Sequence, residues 1–263
     1  AGVAAARPST GAKAKSCKAL RAMARVYMAY GDYTKAQPLT EKALALAETK
    51  NVSESEICSC LIDLAYLYKH QGRLDDAEKM CKKGLEMQRT LYYENHPYIA
   101  GTLKILGSIY QEQARYDQAR SVLDEAMAIM QKSHLPDEPA MVPFQIAIAQ
   151  LLVKQGKLTE AEDYYQQALN LTNKRYGPNR LYTASLYGKV AELYTLQGRY
   201  TEAENLINQT LAVQEKIYGP RHHLIAPTWL TIAQICQDKK EYTQAEMLFK
   251  KAISAVEKKY GND

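Results

Sequence analysis

The sequence contains no apolar run near the roughly 18 residues of a membrane-spanning helix, and its mean hydropathy is −0.42. Membrane insertion is therefore not expected. Phe and Trp are scarce, two and one, against twenty Tyr. Cores are usually richer in Phe, so Tyr is expected to fill a repeated slot that leaves its hydroxyl near solvent. Cysteine is limited to Cys17, Cys58, Cys60, Cys81 and Cys236. The odd number and the lack of paired spacing argue against a disulfide framework and a metal site, and point to a reducing, cytoplasmic compartment. No glycine-rich loop is present to cradle a phosphate, so no cofactor is expected. Excess positive charge is missing from most of the chain. The net charge is +5, but residues 1–50 hold nine Lys/Arg against three Asp/Glu, and the remainder hold twenty-five against twenty-six. A nucleic-acid binder carries its basic stripe along the whole binding face, so nucleic acid is not an expected partner.

What is present is a repeat. Gly31, Gly72, Gly156 and Gly198 stand 41, 84 and 42 residues apart, and the open slots are held by Ala114 and Lys240. Five residues after each comes Ala: Ala36, Ala77, Ala119, Ala161, Ala203 and Ala245. Seven before each comes a small residue: Ala24, Ala65, Gly107, Ala149, Ala191 and Ala233. Three registers thus give six units of period 42, starting near 17, 58, 100, 142, 184 and 226. Each unit reads as two helices. In the fifth, Tyr187, Val190, Ala191 and Tyr194 share one face, and Ala203, Leu206, Ile207, Thr210 and Leu211 share another. Gly at the turn suits a left-handed C-cap. Thr34, Asp75, Asp117, Thr159, Thr201 and Thr243 are expected to cap the second helices. Gln37, Glu78, Glu162, Glu204 and Glu246 would close capping boxes, with Arg120 the exception. Tyr27, Tyr68, Tyr110, Leu152, Tyr194 and Cys236 share one inter-helix slot, and Cys81 shares another with Leu123, Tyr165, Ile207 and Phe249. Both cysteines are expected to be core fillers.

The pattern resembles the tetratricopeptide repeat, best in Trp229-x2-Ile232-Ala233-x2-Cys236 followed by Ala245, Phe249 and Ala252. The usual period is about 34; the extra residues are expected to lengthen the second helix and its link. The links Tyr92–Pro97, Tyr176–Arg180 and Tyr218–His222 make the repeat similar to the 42-residue kinesin light chain subfamily. The fold class implied is all-α, a right-handed α-solenoid of six helix-turn-helix units over residues 14–263, preceded by a flexible lead-in at 1–13. Pro136, Pro139 and Pro143 predict a longer, exposed loop between the third and fourth units, and Pro38 predicts a mild distortion of its helix.

In such an array the first helices line a concave face, which the repeat's geometry implies is built from helix positions 2, 5, 9 and 12. The first unit offers Lys18, Arg21 and Arg25; the second Ile62, Tyr66 and Lys69; the third Lys104, Ser108 and Gln111; the fourth Ile146, Gln150 and Val153. This stripe is basic with aliphatic gaps at its N-terminal end and nearly neutral beyond. It would suit an acidic peptide with one or two large apolar anchors; the alternative is a solvated face without ligand preference. Two functions of the resembled family depend on particular residues. The carboxylate clamp for chaperone C-termini needs an Asn that Arg21-x3-Arg25 and Lys104-x3-Ser108 do not supply. The groove Asn residues of kinesin light chains are replaced here by Ile62, Asp63, Lys104, Ile105, Ile146 and Ala147.

No catalytic residues are expected. His96, His222 and His223 belong to inter-repeat links, His134 to the proline loop and His70 to a helix end, and none has a spaced partner for a triad or metal site. Asp75-Asp76 is read as a cap rather than paired carboxylates. The sequons at Asn51, Asn170 and Asn208 are read as coincidental. The leading expectation is a non-enzymatic scaffold or adaptor that binds a protein or peptide segment. The alternatives are a structural or oligomerisation scaffold and a kinesin-light-chain-like cargo adaptor, with an enzyme on a repeat fold held behind them. In the sixth unit Phe249, Ala252, Ile253 and Val256 form a stripe that earlier units cover with the next repeat. It is expected either to be covered in a longer parent protein or to be buried in a homodimer.

Overall fold

The computed structural model describes residues 10–49, 52–133 and 139–261. The lead-in at 1–9, Asn51, His134, Pro136 and most of the expected proline loop lie outside them. The chain divides after Pro136 into two compact bodies. The first contains α1 (Thr10–Ala29), α2 (Tyr33–Ala47), α3 (Glu54–His70), α4 (Leu74–Leu91), α5 (Pro97–Glu112) and α6 (Tyr116–Ser133). The second contains α7 (Val142–Lys154), α8 (Leu158–Tyr176), α9 (Leu181–Leu196), α10 (Tyr200–Tyr218), α11 (Ala226–Asp238) and α12 (Tyr242–Tyr260). Short 3-10 turns, Pro139–Met141 and His223–Ile225, lead into α7 and α11. The twelve α-helices pair into six helix-turn-helix units, each odd helix against the next even one. Helix α1 begins inside the segment expected to be a lead-in. Pro38 sits within an unbroken α2, and Pro143 occupies the first turn of α7, where its missing N–H is harmless.

The turns have one chemistry. Gly31, Gly72, Gly156 and Gly198 take φ of 73–76°, the left-handed conformation that glycine adopts without a Cβ clash. The N–H of the next residue then reaches back to a carbonyl five residues earlier: Asp32 to Tyr27, Arg73 to Tyr68, Arg115 to Tyr110, Lys157 to Leu152, Arg199 to Tyr194 and Glu241 to Cys236, at 2.7–2.9 Å. This bond satisfies an otherwise orphaned carbonyl at the helix end. Ala114 (57°) and Lys240 (65°) adopt the same φ without being glycine.

The expected capping boxes are not what starts the second helices. Each begins one residue before the proposed cap, at Tyr33, Leu74, Tyr116, Leu158, Tyr200 and Tyr242. Thr34, Asp75 and their equivalents therefore lie inside the first turn. The left-handed turn fixes the helix start, and among the described caps of the second helices only Asp32 caps with its side chain, accepting from Lys35 N–H at 3.1 Å. The acids three residues further on face the next unit instead. Glu78 accepts from Arg115 (2.5 Å) and Gln113 (3.2 Å). Glu162 accepts from Arg199 (2.8 Å) and Gln197 (3.1 Å), and Glu204 from Lys239 (2.7 Å). In the first unit the clasp is uncharged, with Gln71 donating to Gln37 at 3.0 Å. The same arginines cover the tyrosine slot: Arg73, Arg115 and Arg199 lie 4.0, 4.3 and 3.9 Å from the ring centres of Tyr68, Tyr110 and Tyr194. Tyrosine is thus used for an apolar body under a cation and a polar rim.

The small slots are where helices cross. Ala24, Ala65, Ala149, Ala191 and Ala233 are fully buried, as are Ala36, Ala77, Ala119, Ala161 and Ala203. At Gly107 an added Cβ would stand 2.8 Å from Leu123 Cγ, so the volume of Leu123 is matched by the missing methyl. All five cysteines are free and buried, Cys81 and Cys236 among core residues as expected.

Candidate functional site

In the first body, the basic residues of α1 meet carboxylates of α3. Arg21 Nε donates to Asp63 Oδ2 at 2.7 Å and its Nη1 to Glu56 Oε2 at 2.9 Å. Arg25 Nη2 donates to Asp63 Oδ1 at 2.8 Å, and Lys18 pairs with Glu56 at 3.5 Å. The Arg21 side chain is 11% exposed and that of Asp63 8%. Burial alone would disfavour the Arg21 charge, but Asp63 and Glu56 hold its pKa above the usual value. On α1 three cations of the stripe thus face two carboxylates, so its free positive charge there is smaller than the sequence count suggests. The missed signal is periodic: Arg21 and Asp63 lie one repeat apart, and residues one period apart become neighbours when repeats stack.

The second and third units place their residues less uniformly. Ile62 is half-buried, its Cδ1 closing over the bare Cα of Gly84. Tyr66 remains 41% exposed, its ring 4.4 Å from that of His70, which stacks on Tyr33 at 5.5 Å. Burial, and then the Lys69 charge, lower the His70 pKa. Lys69 pairs with Glu112 at 3.2 Å. Lys104 is half-buried, and burial lowers its pKa. Ser108 donates to the Ile105 carbonyl at 2.7 Å, so its hydroxyl is already engaged, and Gln111 is half-buried. In the second body Ile146, Gln150 and Val153 are each half-buried on α7.

The remaining titratable residues act locally. His96 and His222 each use Nδ1 to accept a backbone N–H two residues on, from Tyr98 at 3.1 Å and Leu224 at 3.3 Å. Asp76 receives Arg73, and Asp75 receives Gln113. The Cys81 thiol is pushed up to about 12 by burial, a direction that disfavours the reactive thiolate. Among the described residues, no group of three or more His, Cys, Asp or Glu could hold a metal ion. None of their helices is long and apolar enough to cross a membrane. Asn170 and Asn208 lie within α8 and α10.

The C-terminal stripe separates into two parts. Ala252 is buried in the cluster around Trp229, and Phe249 packs against the cluster containing Ile232 and Cys236. Ile253 (55% exposed) and Val256 (41%) remain outside.

Comparison with known proteins bears on this arrangement. A model of the MalT-like TPR region matches residues 12–173, and a tetratricopeptide repeat model matches 144–216 and again 182–258. No curated protein matches in sequence. Among solved structures, BtubC (BKLC) from P. vanneervenii aligns with a TM-score of 0.66 at 18% identity, over 98% of this chain and 94% of that one. A kinesin-light-chain-like protein of Podospora anserina with nearly identical repeats gives 0.60 at 21%, over 78% and 97%. NprR, solved in complex with its cognate peptide NprX, gives 0.67 at 17%, over 93% and 68%. At these identities the structural likeness speaks for the fold. The repeat register, the six helix pairs and a family match over more than half of its length agree: the chain belongs to the tetratricopeptide repeat family.

Proposed function

We propose that the protein is a non-enzymatic scaffold that binds a peptide segment of a protein partner on the first-helix face of its first body. The observation that carries this reading is the exposed ring of Tyr66 one helical turn after half-buried Ile62 on α3, with half-buried Lys104 one period after Ile62 on α5. An apolar anchor among partly desolvated cations suits a segment with a large apolar side chain and an acidic neighbour. Acidic preference rests on Arg25 and Lys18, whose side chains are largely exposed despite their pairing. The NprR complex with NprX supports peptide binding by analogy of fold. The free thiols fit a cytoplasmic setting. A peptide array read with wild type and Tyr66→Ala tests the proposal. Selected peptides should lose binding in the variant while the melting temperature stays close to wild type. Retained binding would move the site elsewhere.

A second reading, self-association through α12, is favoured by Ile253 and Val256. The residues in the Ile253 slot of the five earlier units, Leu44, Leu85, Met127, Leu169 and Leu211, are buried or half-buried. Ile253→Lys should then convert a dimer to a monomer by light scattering. Phe249→Lys is the wrong probe, because Phe249 belongs to the core.

A further inference from the structure

Where α10 gives way to α11 in the second body, the link and α12 line a wide-open cleft of about 520 Å³. Its walls include Tyr218, Arg221, His222, His223, Ala255 and Lys258, and, among the described residues, no Asp or Glu. Arg221 and Lys258 are exposed, and neither forms an ion pair among the described residues. The imidazole of His222 is fixed in place: its ring lies 5.3 Å from Tyr218 and 4.3 Å from His223. Because its Nδ1 accepts the Leu224 N–H, a neutral His222 carries its proton on Nε2, as a donor. The backbone turns at Gly219 with φ of 91°, which removes a Cβ from the rim.

The first body supplies an internal comparison. Its α4–α5 link makes a cavity of about 510 Å³ against α6, at the same place in the repeat. There Arg89 and Lys132 are accompanied by Glu94 and Glu125, and Arg89 is bound to Glu125 at 2.7 Å. Three periods on, the slots of Arg89 and Glu125 hold Glu215 and Lys251, an ion pair at 4.0 Å with its signs exchanged, while the slots of Glu94, Asn95 and Lys132 hold Pro220, Arg221 and Lys258. Among the described lining residues Arg221 and Lys258 therefore have no carboxylate beside them. A guanidinium, an ammonium and an imidazole lining one cleft favour a multiply charged oxyanion. The volume is in the range of pockets for organic ligands, and the Tyr218 ring and Ala255 methyl offer apolar wall.

We propose that this cavity binds a phosphomonoester on an organic stem, carried by a phosphorylated serine of a protein partner. Arg221 and Lys258 meet the phosphate charge, His222 Nε2–H donates to a phosphate oxygen, and Tyr218 and Ala255 contact the stem. The site lies on the second body and stands independently of the first-helix face. The test is fluorescence anisotropy with fluorescein-labelled Gly-Gly-phosphoserine-Ala-Gly and its unphosphorylated twin, on wild type, Arg221→Glu, Lys258→Glu and, as a control, Arg89→Glu. The phosphopeptide should bind roughly tenfold or more tightly than its twin, and each second-body variant should lose roughly tenfold. Affinity should fall with added salt, and Arg89→Glu should match wild type. Circular dichroism checks that the variants, all at exposed positions, are folded. Absence of binding, equal binding of the twin, or unchanged affinity in both folded second-body variants would overturn the site. Competition by inorganic phosphate as strong as by unlabelled phosphopeptide would overturn the role of the stem.

Discussion

The two bodies share one repeat and one inter-repeat clasp, but place charge differently between their first helices. In the first, the α1–α3 junction is ionic: Arg21, Arg25 and Lys18 are answered by Glu56 and Asp63. In the second, the slots corresponding to Arg21 and Asp63 hold Ile146, Gly188 and Leu230 and, opposite them, Ala147, Lys189 and Thr231. No ion pair between those slots ties its first helices together, and its free cations stand at the link edge instead. The small residues and the left-handed turn fix the helix pair, so surface positions can vary without altering the frame. A count of Lys and Arg along a face therefore says little about its charge until the partners one period away are known.

The sharpest way to break this comparison is Asp63→Ala. It removes the carboxylate that receives two arginines and leaves Arg21 largely buried with only Glu56. The expected loss is about 3 kcal/mol, as for other broken buried pairs. Glu125→Ala removes a pair whose side chains are about half exposed, and should change stability by no more than about 0.5 kcal/mol. Urea denaturation of both variants measures the contrast. Equal effects would mean that the α1–α3 ion pairs do not hold the junction.

Next in size is a contrast between two helical glycines. Gly107→Ala drives a methyl to 2.8 Å from Leu123 Cγ, and overpacking should outweigh the gain in helix propensity by about 1 kcal/mol. Gly188→Ala, in the second body, meets nothing closer than 3.9 Å, so the propensity term should stabilise by about 0.8 kcal/mol. Thermal melts should move in opposite directions.

The frame was legible because its signals are local or strictly periodic: the small residues, the glycine turn, the shared tyrosine slot. The capping boxes were misread for a physical reason. Thr-x-x-Glu has the composition of a local cap, but Glu78 and Glu162 receive donors 35–37 residues away. A local pattern cannot distinguish an acid that turns back to its own helix start from one that reaches the next repeat. The groove stripe was chosen by position, and the charge of its α1 part was overcounted because Glu56 and Asp63 lie outside positions 2, 5, 9 and 12. The link cavity was passed over because Tyr-Gly-Pro was read only as a connection.

The inter-repeat clasp, present in both bodies, gives a pH-dependent contrast between an inner unit and the sixth. Burial would raise the Glu78 pKa, but hydrogen bonds from Lys82, Arg115 and Gln113 hold it down at about 2, from an ordinary 4.5. A depressed carboxylate stabilises the fold fully above its unfolded pKa and loses that contribution as pH falls through the folded one. The stability gap between wild type and Glu78→Gln should therefore be widest above about pH 4.5 and close toward about pH 2. Glu246, in the same slot of the sixth unit, is exposed and among the described residues pairs with Lys250, four residues on in its own helix. Glu246→Gln should show a much smaller gap. A gap for Glu78→Gln that does not change with pH would remove the clasp's electrostatic role.

The smallest effect separates the turn conformation from everything around it. Ala114, in the first body, and Lys240, in the second, hold φ of 57° and 65° where the other four units use glycine. In this region a Cβ crowds the following carbonyl and costs roughly 1–2 kcal/mol. Glycine removes the crowding but gives the unfolded chain more freedom, which offsets part of the gain. Both side chains are exposed, so little packing is lost with them. Ala114→Gly and Lys240→Gly should each stabilise by about 0.5 kcal/mol, and Gly156→Ala, the reverse change, should destabilise by about 1 kcal/mol. Because the six turns share one hydrogen bond, at 2.7–2.9 Å, the forward changes should be equal in the two bodies despite their different surfaces. Unequal shifts in urea midpoint, or a loss in either glycine variant, would show that these turns are set by their surroundings rather than by the backbone.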